Sequence, residues 1–541
     1  MKKSSRFTLA ILSSILLSLP WFSQFSGLII LVAFVPLLFL EDYIYETRER
    51  NKSIILIGYS TLTFAIWNIL TTYWIHNAAF IGIVAAVIVN TFLMTITFWL
   101  FHFTKRKLGP KIGQLALLVY WIGFEHFYLN AEISWPWLNL GNAFAKDISL
   151  IQWYEYTGTL GGTFWIIFVN LLCFNILKSY IDLRKIRVLL PKMLLFFTVI
   201  LVPIIISFSI FKNYKEKGES YNIAVLQPNI DPYNDKFGGL SPIEQLNIIL
   251  NLADSITDET IDYVIGPETA LDNSIWINTL EHNYSIRAIK DFVTKNPRVN
   301  FVLGVDCYKR FLPNEELTVT ARYLQRENFY YDAYNSAIQI DTSNYIPIYH
   351  KSKLVVGVEK MPYPKLFKLL GNVILDLGGT TGSRATQDYR GTFKHPVSDM
   401  KVAPVICYES VYGEYVTDYI KNGANFIFVI TNDGWWGNTP GFKQHLTYSS
   451  LRAIETRRSV ARSANTGISA FINQRGEILN RTQWWVRDAI KNNIKANNEL
   501  TFYVKYGDYI GRLAGFLAVF LFLYAIVQHI LNKSKLKEGN K

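Results

Sequence analysis

Apolar and polar positions are spread unevenly along this chain. Seven long apolar runs crowd its first part. One follows the basic start MKKSSR and ends at about Phe22; six more lie at about 27–40, 54–75, 81–103, 112–129, 161–181 and 188–211, and an eighth covers 509–531. About 20 apolar residues cross a bilayer as a helix, so the pattern predicts eight transmembrane helices. The first run has the charge and length of a signal peptide, but no small-x-small cleavage site follows and a second run begins at once; a retained helix is expected. From Tyr221 the pattern shortens. Strand-like runs recur at 223–226, 263–265, 301–305, 336–340, 402–406, 426–430 and 467–472, with helix-like stretches near 241–254, 281–295, 411–421 and 440–462. Strands alternating with helices predict a layered α/β domain. The expected organisation is an N-terminal membrane domain of seven helices over 1–211, an α/β domain over 220–505, a last transmembrane helix at 509–531 and a basic tail at 532–541.

Composition supports a membrane chain: of 541 residues, 50% are hydrophobic and 15% aromatic. The net charge of +12 raises the possibility of nucleic acid, but much of the Lys/Arg excess flanks the apolar runs, as membrane topology demands. Lys2, Lys3 and Arg6, then Arg48, Arg50 and Lys52, then Lys105, Arg106, Lys107 and Lys111, then Lys178, Arg184, Lys185, Arg187 and Lys192 alternate with nearly uncharged loops. The positive-inside rule therefore predicts both termini in the cytoplasm and residues from 212 to about 508 outside it. The loop 135–160, rich in Trp, Tyr and Gly, reads as an interfacial aromatic belt or as a contact surface for the outer domain or lipid. Glu125, beside His126, is the one acidic residue well inside a span and also fits an interfacial pair near the span's end.

Three strand ends in the α/β domain carry chemistry. In VAPVICYE the apolar run from Val402 delivers a thiol, Cys407, followed by Tyr408 and Glu409. A strand end is a rigid support at a sheet rim, and a thiol is the strongest nucleophile among side chains near neutral pH; taken alone, Cys407 reads equally as a small buried hydrophobe. VIGPETA places Glu268 after an apolar run, and YHKSKLVVGVE carries Lys351, Lys353 and Glu359. Each alone reads as a solvated loop residue. Three cysteines exclude a disulfide scaffold. Cys173 lies in an apolar run, and Cys307 in VLGVDCY reads as core; a Cys307–Cys407 disulfide would disable the nucleophile. His350 and His445 lack metal-site companions at the usual spacing, so no metal is expected.

Together and in this order, Glu268, Lys351 and Cys407 resemble the Glu–Lys–Cys triad of the nitrilase superfamily, whose domain is an αββα sandwich. QPNI at 227–230, TNDGWWGNTPGFKQH at 431–445 and ARSANTG at 461–467 extend the resemblance over about 220–505. The PWLNLGN loop at 136–142, KxxLVxxxE at 351–359 and Cys-Tyr-Glu at 407–409 resemble one branch, the apolipoprotein N-acyltransferases of the bacterial inner membrane. Members usually read H-L-V-P-F-G-E where Lys353, Val356 and Gly357 stand here, and Phe237 stands where they carry a Trp. The resemblance implies a phospholipid acyl donor, phosphatidylethanolamine at sn-1, and as acceptor the α-amine of a lipoprotein's S-diacylglyceryl-cysteine. It also implies a catalytic domain facing the periplasm, a monomer and no cofactor.

General chemistry suggests the roles. Cys407 as thiolate attacks an ester and forms a thioester; Glu268 is the base; Lys351 lowers the thiol pKa and, with a backbone N–H after Cys407, stabilises the oxyanion. Glu359 orients Lys351, and Tyr408 and Glu409 shape the pocket or hold the loop. Lids over a thioester are expected at 354–365 and 432–442, with Gly357, Gly434 and Gly437 as hinges and Phe237, Trp435 and Trp436 near substrate. A membrane-tethered amidohydrolase with the same triad is the competing reading.

Overall fold

A computed structural model describes all residues except 48–51, 184–185, 237, 362, 364–382 and 539–541. The chain forms two compact units: Met1–Tyr73 with Ile83–Asn213 and Tyr506–Lys541, and Trp74–Gly82 with Tyr214–Lys505.

The first unit is helical: α1 (Lys3–Ser18), α2 (Val35–Glu46), α3 (Lys52–Thr72), α4 (Phe80–Leu108), α5 (Pro110–Asn130), α6 (Tyr154–Leu183) and α7 (Ile186–Asn213). Among the described residues six helical segments are long and apolar enough to cross a bilayer: Gly27–Glu46, Ser53–Asn77, Phe80–Leu108, Tyr154–Leu183, Leu189–Asn213 and Tyr509–Ser534. The other two expected spans fall on α1, which has only 16 residues, and on α5, whose Gln114, Glu125 and His126 dilute its apolar run.

Residues 136–145 of the Trp-rich loop are buried. Glu125 holds them there: its carboxylate accepts the Leu140 N–H at 2.8 Å, the Thr163 hydroxyl at 2.6 Å and the Trp121 indole N–H at 3.1 Å. A buried carboxylate persists only when its lone pairs are filled, and this one fills them from three segments.

The second unit is a two-sheet sandwich. Its strands are β1 (Glu219–Gln227), β2 (Tyr263–Ile265), β3 (Leu271–Trp276), β4 (Asn300–Arg310), β5 (Arg322–Leu324), β6 (Phe329–Ile340), β7 (Ile348–His350), β8 (Phe393–Lys394), β9 (Lys401–Ile406), β10 (Phe426–Thr431), β11 (Ser459–Ala464), β12 (Ala470–Ile472), β13 (Ile478–Arg481) and β14 (Asp488–Ala496). One sheet runs β14-β1-β2-β4-β6-β5, with β3 beside β4 and β7 beside β6; the other runs β13-β12-β11-β10-β9-β8. Its centre is parallel: β9 (Lys401–Ile406), β10 (Phe426–Thr431) and β11 (Ser459–Ala464) are almost wholly buried, as strands covered on both faces must be. Tyr263 of β2 (Tyr263–Ile265) meets Phe428 edge-on at 5.2 Å, locking the sheets together. Outside lie α8 (Pro242–Ile256), started by a Ser241–Glu244 capping box, α9 (Tyr284–Lys295), which buries Ile286, Ile289, Phe292 and Val293 at helical spacing, α10 (Gly413–Lys421) and α11 (Pro440–Thr456). The expected helix at 440–462 is two elements: Arg457, at φ 51°, turns the chain out of α11 and into β11. Arg458 and Arg462 are buried in the sandwich.

Candidate active site

The continuous apolar strand β9 ends at Ile406, and Cys407 follows with φ 49°. Left-handed backbone at a non-glycine residue costs on the order of 1–3 kcal/mol and persists only where surroundings impose it. Glu409 is what imposes it. One of its oxygens accepts the Ile406 N–H at 2.9 Å and the Tyr419 hydroxyl at 3.1 Å; the other accepts the Tyr349 hydroxyl at 2.7 Å, the Tyr415 hydroxyl at 2.6 Å and the Ser352 N–H at 2.8 Å. Glu409 thus ties the loop after β9 to the one bearing Lys351. Tyr408 is buried edge-on to Tyr412 at 5.2 Å.

Glu268 follows β2 across a tight bend closed on Gly304 of β4 (Asn300–Arg310). Gly304 N–H donates to Pro267 O at 3.0 Å, and its own carbonyl accepts the Ala270 N–H at 2.7 Å. A Cβ on Gly304 would lie 2.6 Å from Glu268 Cα, so only glycine allows this approach.

Lys351 follows β7 (Ile348–His350) and is buried. Its Nζ lies 2.9 Å from Glu268 Oε1 and 2.9 Å from Glu359 Oε2. The structure therefore brings Glu268, Lys351 and Glu359 together. Asn335 of β6 (Phe329–Ile340) clamps the group: its Nδ2 donates to Glu268 Oε1 at 2.8 Å and to Glu359 Oε1 at 2.9 Å, and its carbonyl accepts the Lys351 N–H. Asn432 N–H reaches Glu268 Oε2 at 3.2 Å, and Val355 N–H reaches Glu359 Oε2 at 2.9 Å. Neither Asn335 nor Asn432 stood out in the sequence; NSAIQI reads only as a strand.

Burial alone would strip the charge from Lys351, but Glu268 and then Glu359 outweigh it and hold its pKa well above the ordinary lysine value. Burial pushes Glu359 up, yet Lys351 and the hydrogen bonds from Val355 and Asn335 bring it below the usual range. Cys407 feels Lys351 in the expected direction. Burial, then the neighbouring Glu268 carboxylate, push its thiol well above the ordinary value, and Lys351 opposes them only in part. The ammonium is already shared between two carboxylates, so it offsets the burial of the Cys407 thiol only in part.

The remaining expected residues fall as follows. Phe237 lies outside the described residues. Gly357, at φ 85°, has open space where a Cβ would stand. Of the two expected lids, 432–442 is anchored at its start: Asn432, Asp433 and Gly434 are buried, and a Cβ on Gly434 would stand 2.0 Å from Thr466 Oγ1. Trp435 meets Tyr233 edge-on at 5.3 Å, and Trp436 packs on Trp74 at 4.8 Å while Asn77 Nδ2 donates to its carbonyl at 2.8 Å. All three cysteines are free, and the Cys307 sulfur lies 3.0 Å from the Ser336 hydroxyl inside the core, its thiol pushed up to about 12 by burial.

A two-sheet sandwich that gathers a strand-end thiol, a carboxylate and a lysine defines the carbon–nitrogen hydrolase class. The chain belongs to the carbon-nitrogen hydrolase family, whose model matches residues 222–498. The model of the apolipoprotein N-acyltransferase N-terminal domain matches residues 13–172. Over 97% of both chains, the protein is 27% identical to the apolipoprotein N-acyltransferase of Chlorobaculum tepidum. It is 28% identical to that of Thermotoga maritima over 94% of this chain and 92% of the relative. A solved amidase from Nesterenkonia sp. is 13% identical over 53% of this chain and 94% of its own, with a TM-score of 0.35. The likeness to apolipoprotein N-acyltransferases read from the sequence is borne out over nearly the whole chain.

Proposed function

We propose that this protein moves an acyl chain from a phospholipid, phosphatidylethanolamine at sn-1, to the α-amine of an N-terminal S-diacylglyceryl-cysteine on an apolipoprotein. The observation that carries this reading is the buried Glu268–Lys351 pair beside the Cys407 elbow in a chain rich in membrane-length helices. Cys407 gives its thiol proton to Glu268 as sulfur attacks the ester carbonyl. Lys351 and the Tyr408 N–H receive the oxyanion. The acyl C–O bond then breaks, and the leaving lysophospholipid oxygen takes the proton from Glu268. In the second half the acceptor amine gives a proton to Glu268 and attacks the thioester, the C–S bond breaks and the thiol is restored. Both substrates are held in the bilayer by acyl chains, at about 0.8 kcal/mol per buried CH₂. The alternating Lys/Arg pattern supports eight spans in a bacterial inner membrane, both termini cytoplasmic and the catalytic domain on the periplasmic side. The enzyme acts as a monomer without cofactor.

Purified protein in detergent with a phospholipid labelled on its sn-1 chain, and no acceptor, tests the reading by intact mass. One added acyl chain is expected on wild type and none on Cys407→Ala, with discharge by a diacylglyceryl-cysteine peptide. Steady release of free fatty acid without discharge to the peptide would instead identify an amidohydrolase-type enzyme.

A further inference from the structure

Behind the nucleophile lies a buried polar chain that the steps above leave unused. Arg462 of β11 donates to Asp433 Oδ2 at 2.5 Å, and Asp433 Oδ1 lies 2.9 Å from His445 Nδ1. His445 of α11 presents Nε2 to Ser410 Oγ at 2.9 Å and to the Cys407 carbonyl oxygen at 3.2 Å. Ser410 Oγ donates to that same oxygen at 2.7 Å. All four side chains are buried. Giving the Ser410 proton to the carbonyl leaves Nε2 facing two oxygens, and the tautomer with its hydrogen on Nε2 donates to them while Nδ1 receives the Arg462 N–H at 3.1 Å. In that arrangement the Cys407 carbonyl receives two donors from one side.

A trans peptide unit is planar, with its C=O and the next N–H pointing in opposite directions. The Cys407–Tyr408 bond is trans. Fixing the Cys407 carbonyl toward His445 therefore fixes the Tyr408 N–H toward the opposite face of that peptide plane. We propose that His445 is a positioning residue of the oxyanion hole, aiming the Tyr408 N–H by gripping the other end of its peptide plane, with Asp433 and Arg462 setting its ring. This rests on the acyl-transfer reading only in naming the oxyanion, because any ester attacked by Cys407 needs the same donor.

The side-chain nitrogen of a glutamine stands near the Nε2 position and that of an asparagine near Nδ1. His445→Gln therefore keeps the donor to the carbonyl, and His445→Asn keeps only the Asp433 contact. The full chain in detergent is mixed with p-nitrophenyl butyrate; the Sγ–acyl bond forms as the ester C–O bond breaks and p-nitrophenolate appears as a burst. Loss of an oxyanion donor costs about 10²–10³ in rate. His445→Asn should slow the burst about 100-fold and Ser410→Ala less, while His445→Gln stays within about tenfold of wild type. Iodoacetamide should alkylate Cys407 in all three variants as fast as in wild type, because alkylation develops no oxyanion. Equal bursts in the two His445 variants, alkylation falling in step with the burst, or no burst in wild type overturns the proposal. A normal burst pattern with no labelling from phospholipid would spare it and count against the lipid donor instead.

Discussion

The Ser352 backbone nitrogen, one residue past Lys351, lies 2.8 Å from the Glu409 carboxylate, two residues past Cys407. One buried side chain thereby sets the spacing between the loops that bear the nucleophile and the ammonium. Glu409→Ala strands five buried donors, each costing about 1–3 kcal/mol when left unmet. Relaxation recovers part of this, so a loss of about 3 kcal/mol or more is expected in denaturant unfolding, together with loss of acyl-enzyme. An unfolding free energy within about 0.5 kcal/mol of wild type, typical of surface changes, would refute this account of Glu409.

Removing the ammonium should reverse the response to acid. In wild type, Glu359 has a folded pKa below its ordinary value, near 4.3 in unfolded chains. Its stabilisation is present above that value and lost as pH falls through the depressed one. In Lys351→Met, Glu268 and Glu359 face each other without a cation, which raises the folded pKa of the pair. Stability is then greatest at low pH and lost as pH rises through the raised value. The variant should be about 3–5 kcal/mol less stable at pH 7 and recover part of this by pH 5. Thermal melts at both values check it; equal melting temperatures would count against the pairing.

Glu268 should have opposite effects on two reactions of Cys407. Its negative charge is the second cause, after burial, of the raised thiol pKa, so Glu268→Gln lowers that pKa and exposes more thiolate at pH 8. Alkylation by iodoacetamide should rise several-fold while acylation by ester falls by about 10² or more, the usual worth of a general base. A parallel fall in both would mean that the variant has lost the fold around the thiol.

Gly304→Ala tests the bend that aims Glu268. The added methyl would stand 2.6 Å from both Glu268 Cα and Thr269 N, so the loop must move. Ester acylation should fall about 10²-fold, the cost of roughly 1 Å of misplacement, while Cys407 alkylation persists. Unchanged acylation would show that the base tolerates displacement.

Much of this protein is determined by its sequence alone. Apolar runs at bilayer length and the alternating Lys/Arg clusters mark the membrane part without any tertiary contact, since both are properties of the chain against its solvent. The run ending at Cys407 and the order Glu268, Lys351, Cys407 likewise mark the candidate nucleophile and its proposed partners. Only the tertiary structure decided what surrounds them. Asn335 becomes a clamp because β6 lies antiparallel to β4, opposite Asp306 in register, and Glu409 becomes a staple because Tyr349 and Ser352, about 60 residues away, converge on it with Tyr415 and Tyr419. Nothing in the sequence foretells that Arg458 and Arg462 are buried in the sandwich or that Glu125 gathers Leu140, Thr163 and Trp121. Hydrophobic periodicity reports which face of an element meets water; it carries no record of which polar groups, once buried, find one another, and that pairing sets the charge state of the site.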